Sequence, residues 1–125
     1  MTQVLQMRQY AYEAKGWVRL LTFFSNEIVY LKTRLSEVLE SDTKPHALDH
    51  AEKLQEDFLT QDKIIALLTS ELKDQIRLLD NKVYERDGTL QIVINNQKRL
   101  RVEMNKSAGL FLKIKKEFTE YQNKA

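Results

Sequence analysis

The chain contains no cysteine. That excludes disulfide staples, thiolate metal sites and cysteine nucleophiles, and it removes the usual argument for secretion. Three glycines and one proline in 125 residues leave few places to break a helix. The N-terminal residues show no basic segment followed by a long apolar run. The densest apolar stretch, Trp17 to Phe24, is far too short to cross a bilayer. Neither charge sign dominates: 20 Lys and Arg against 18 Asp and Glu leave a net charge of +2, too little to predict an anionic partner by itself. The expectation is a soluble, cytoplasmic protein without a transmembrane segment, whose fold rests on packing alone.

What the sequence does hold is periodic. The hydrophobic fraction of 42% with 30% charged residues is that of a globular chain, and residues 1–125 fit a single domain. Steps of three and four residues from Met7 to Val38 pick out Met7, Tyr10, Ala14, Trp17, Leu21, Phe24, Ile28, Leu31, Leu35 and Val38, an uninterrupted apolar seam. The spacing predicts a first helix over about 2–41. The segment Ser41 to Pro45 then offers side-chain caps and a proline tolerated only in a helix's first turn. A second helix is predicted over about 45–87, with the seam Ala51, Leu54, Phe58, Gln61, Ile65, Leu68, Leu72, Gln75, Leu79 and Lys82. Three of these ten are polar, so the second helix is expected to be less deeply buried than the first.

Asp87-Gly88 supplies a left-handed stop. The pair is also a hairpin signal, but the three-four spacing continues on both sides where a hairpin needs period two. A third helix is predicted over about 89–122, with the seam Leu90, Val93, Gln97, Leu100, Met104, Ser107, Phe111, Ile114, Phe118 and Tyr121. The fold class is therefore all-α: an antiparallel up-down-up three-helix bundle with long, coiled-coil-like helices. At 1.5 Å per residue, Phe24 on the first helix lies level with Ser107-Ala108-Gly109 on the third, and with Gln61 or Ile65 on the second. Gly109 is expected to make room for an aromatic ring there, and Gly16 beside Trp17 to do the same.

No constellation of catalytic side chains emerges. His46 and His50 are four apart on one helical face, the only arrangement resembling a metal site. Neither has a Glu three residues before it, and their place in a helix's first turns disfavours a cation. No metal or cofactor is therefore expected. A small-molecule or metal-binding bundle using these weak candidates is the alternative reading. Glu13, Glu27 and Glu103 flank the seams and are expected to make interhelical salt bridges rather than acid–base chemistry.

Charge separates by helix: residues 46–86 carry nine acidic and six basic side chains, and residues 87–125 carry four and eight. Arg99, Lys106 and Lys113 recur every seven residues, with Lys116 one turn on, and form a possible anion-contact strip. The strip lacks interleaved aromatics and a helix-turn-helix, so nucleic acid is not the expected partner.

The first helix is apolar nearly all round, because Val18, Leu20, Phe23, Val29 and Tyr30 add to its seam. Two neighbours cannot cover every side of a third helix, so Leu20, Phe23 and Tyr30 are expected on an exposed patch or under another chain. A homodimer through this helix, or a partner protein's helix laid against it, is the expected association. Length, three long helices and Trp17 in the first resemble a spectrin-like three-helix repeat. The third helix has no matching tryptophan and the chain holds one unit, so the resemblance implies the bundle and no function. The expectation is thus a non-enzymatic structural or protein-interaction bundle.

Overall fold

The computed structural model describes residues 2–41, 44–86 and 88–124. They form α1 (Thr2–Ser41), α2 (Pro45–Asp80) and α3 (Thr89–Lys124), with one 3-10 turn, Val83–Glu85, between the last two. The described residues contain no strand, and the hairpin alternative around Gly88 falls with that. Pro45 opens α2 in its first turn, where the missing N–H is one the helix could not have used. Asp42 and Thr43, expected among the caps of α2, lie outside the described residues, as does Asp87.

Ion pairs report the helix directions. Lys15 meets Asp80 at 3.2 Å and Lys32 meets Asp62, so numbers rise along α1 as they fall along α2, and the two are antiparallel. Glu13 with Arg101 and Glu27 with Lys115 both join residues 88 apart, so α1 and α3 are parallel. The seams face one another across this up-down-up bundle. Of the third seam, every residue from Val93 to Tyr121 is buried and Leu90 is half-buried. Phe24 and Phe111 stack with ring centroids 4.3 Å apart and planes 23° from parallel, a wide aromatic spacer between α1 and α3.

Three expectations are corrected. First, α2 ends at Asp80 rather than near residue 87. Asn81 N–H donates to Arg77 O at 3.1 Å, and Lys82 takes a left-handed conformation with φ 54°. A left-handed non-glycine residue costs about 1–2 kcal/mol. The turn it allows brings Tyr84 into the core, and burying a large apolar side chain returns about 1.5–3 kcal/mol. Lys82, placed in the seam by periodicity, is exposed because the helix has already stopped. Gly88 is left-handed as expected, φ 76°, but it precedes α3 instead of terminating α2.

Second, α2 is not the less buried helix, because Gln61 and Gln75 are as buried as its seam leucines Leu54, Leu68, Leu72 and Leu79. Third, a Cβ on Gly109 would meet nothing within 4 Å, and one on Gly16 only the tip of Arg19 at 3.6 Å. Neither glycine makes room for a ring. Phe24 finds Phe111 instead, and Gly109 lies off the seam on the exposed side.

The core is divided in two. A large cluster runs from Ala14 to Leu35 on α1, with its counterparts on α2 and α3, and a small one joins Met7, Leu79, Tyr84 and Val93. Polar side chains lie between them. Gln75 Nε2 donates to Val93 O at 2.9 Å and to Gln97 Oε1 at 3.1 Å. Gln97 Nε2 in turn donates to Tyr10 O at 3.1 Å and to Glu13 Oε1 at 2.8 Å. Arg101 completes the chain with two N–H donors to the Glu13 carboxylate, at 2.7 and 3.2 Å. One hydrogen-bonded layer thereby ties all three helices at a single level, which fixes their register.

Candidate interaction surface

The surface of interest is the side of α1 turned away from this core. Leu20, Phe23 and Tyr30 are 38%, 48% and 57% exposed, as expected for side chains that two neighbouring helices leave uncovered. Leu5 and Tyr12, overlooked in the sequence, are also exposed, at 56% and 77%. The signal was present: Leu5 and Tyr12 are seven apart, as are Phe23 and Tyr30, so the four share one outward strip. Phe23 is next to a core ring in the chain. Its ring lies 6.1 Å from that of Phe24, which stacks on Phe111.

Elsewhere the charged groups are largely used within the molecule. Glu13 is partly buried, which alone would raise its pKa. Hydrogen bonds from Arg101 and Gln97 and the Arg101 charge outweigh that and hold it below its ordinary 4.5. The same contact pushes Arg101 up, against its partial burial. Glu27 accepts from Lys115 at 3.0 Å, so both α1 carboxylates bridge to α3 as expected. Among the described residues Glu103 makes no interhelical bridge; it pairs with Lys106 of its own helix at 3.7 Å.

No known protein family, curated protein or solved structure matches the chain. The remaining candidates are therefore judged on geometry alone. His46 and His50 are both exposed, and the His50 ring meets the edge of Tyr121 at 4.9 Å. Among the described residues no group of three or more His, Asp or Glu side chains is placed to hold a metal ion. In the basic strip Arg99 pairs with Glu71 of α2 and Lys106 with Glu103. Lys113 and Lys116 are exposed and make no ion pair among the described residues. Half of the strip is thus neutralised by its own surroundings.

An open groove of about 380 Å³ runs between α2 and α3 over Ile64, Leu67, Leu68 and Leu110. Its rim carries those same two ion pairs and no net charge. No helix among the described residues is long and apolar enough to cross a membrane.

Proposed function

We propose that this chain is a non-enzymatic protein-interaction bundle that self-associates through the outer face of α1. The observation that carries the reading is the exposed row Leu5, Tyr12, Leu20, Phe23 and Tyr30 on one helix. Scattered single apolar residues are ordinary on a protein surface, whereas an aromatic-rich row on a rigid element has the composition of an interface core. A second copy is the simplest occupant, since it is available whenever the protein is. The same proposal places the protein in the cytoplasm, where a cysteine-free chain needs no oxidising environment to fold.

Light scattering tests the reading directly. The native protein is expected at twice the 14.8 kDa chain mass, and a Phe23→Glu variant at 14.8 kDa with an unchanged helical circular dichroism spectrum. A native protein that stays at the single-chain mass at high concentration overturns self-association.

A further inference from the structure

The end of the rod where α1 and α3 begin and α2 stops holds a cleft of about 160 Å³. Val4, Met7, Ala11 and Leu79 form its apolar wall. Its polar groups are Arg8, Asp80, Lys82 and Tyr84, and they do not satisfy one another. Asp80 is taken by Lys15 at 3.2 Å, whereas Arg8 and Lys82 are exposed and have no ion pair among the described residues. Tyr84 is only 5% exposed, yet its hydroxyl makes no hydrogen bond among the described residues and is not sealed from solvent. A buried tyrosine ordinarily finds a partner for that O–H.

The backbone contributes the same sign of charge. Two helix N-termini, those of α1 and α3, meet one C-terminus, that of α2, at this end. Neither N-terminal turn carries an acidic side chain, so the positive end of each dipole is uncompensated there. Lys82 is left-handed with φ 54°, a conformation glycine adopts without the steric cost that lysine bears. The turn alone would be better served by glycine. What lysine adds is a cation on the cleft.

We infer that this cleft binds a small phosphate monoester with an apolar body. Arg8 from α1, and Lys82 and the Tyr84 hydroxyl from the connection between α2 and α3, supply hydrogen-bond donors to an anionic head with three terminal oxygens. The apolar wall receives the body, and the volume is close to that of a cavity that holds a benzene ring, about 150 Å³. A bare oxyanion would leave Val4, Met7, Ala11 and Leu79 uncovered. A neutral apolar molecule would leave both cations without a counter-charge. Only the combined ligand uses every group.

An amide-resolved NMR titration of the full chain with phenyl phosphate tests this. Saturable shifts are expected at residues 4–11 and 79–84, and inorganic phosphate and benzyl alcohol are each expected to bind several-fold more weakly than the ester. Lys82→Gly separates binding from folding. Glycine accepts the left-handed conformation, so this variant is expected to melt at or above the native temperature while its affinity for phenyl phosphate falls several-fold. Arg8→Gln and Tyr84→Phe, which keep the helix and the buried ring, are expected to weaken binding in the same direction with the helical circular dichroism unchanged.

No saturation by tens of millimolar phenyl phosphate overturns the site. So do shifts centred on Lys113 and Lys116, or native affinity in both Lys82→Gly and Arg8→Gln. Inorganic phosphate binding as tightly as the ester would mean an adventitious ion only, and benzyl alcohol binding as tightly would mean a simple apolar hole; either result refutes the proposed ligand.

Discussion

Replacing Gln97 by methionine removes the centre of the polar layer while conserving side-chain length. Gln97 is wholly buried, and its amide donates to Glu13 Oε1 at 2.8 Å and accepts from Gln75 Nε2 at 3.1 Å. A hydrogen bond to a charged group is worth about 1.5–3 kcal/mol, and a buried donor deprived of one partner costs about 1 kcal/mol or more. Two terms offset these losses. Methionine brings about 1 kcal/mol of additional apolar burial. Glu13 keeps Arg101, and Gln75 keeps Val93 O, so neither is stranded entirely. The balance is a loss of about 2 kcal/mol, or roughly 8 °C in Tm for a domain of this size.

Urea titration followed by circular dichroism, at one fixed protein concentration, measures it. Since Gln75 then serves only Val93 O, adding Gln75→Met to Gln97→Met is expected to cost less than Gln75→Met does alone, by about 1 kcal/mol of coupling. If Gln97→Met is as stable as the native protein, or more so, the layer is a tolerated polar intrusion and not a stabilising network, and the reasoning fails.

Two further outcomes follow from other parts of the molecule. Because Glu13 has its pKa lowered in the folded state, its contribution is present above the unfolded value of about 4.5 and is lost as pH falls through the lower folded value. Glu13→Gln should therefore lose less stability than the native protein between pH 5 and the acid limit, as read by thermal melts along a pH series. An equal acid response would show that Glu13 carries none of it. Gly109→Ala, placed where a Cβ meets nothing, should raise stability by about 1 kcal/mol in the same urea assay; a decrease would show that the site needs glycine for a reason other than space.

The buried faces were legible because three-four spacing specifies azimuth: Val93, Leu100, Met104 and Phe118 were all placed in the core by that rule alone. The end of α2 was not, because it turns on Lys82 adopting a left-handed conformation, and lysine carries no sequence signal for that. Gly109 was misread for the opposite reason. Counting rise per residue fixes height but not direction, and Gly109 points away from the level-mate it was assigned. That Glu13 and Glu27 would bridge helices was readable from their flanking positions, whereas their partners Arg101 and Lys115 depended on a register that only the polar layer sets. The outer row was half legible. Leu20, Phe23 and Tyr30 stood out in or beside the apolar Trp17–Phe24 stretch, while Leu5 and Tyr12, which lie well before it, did not.

The odd number of helices gives the molecule a mechanical character. The chain enters beside Thr2 at one end of the rod and leaves beside Lys124 at the other, about 50 Å away at 1.5 Å per residue. Tension applied through these two ends pulls α1 and α3 lengthwise against α2, so the contacts along each seam are loaded in shear together instead of being peeled apart one turn at a time. The polar layer sits across that line of sliding. Any slip of one turn must break the Glu13–Gln97–Gln75 chain before it can form new packing, which makes the layer the first point of resistance to extension.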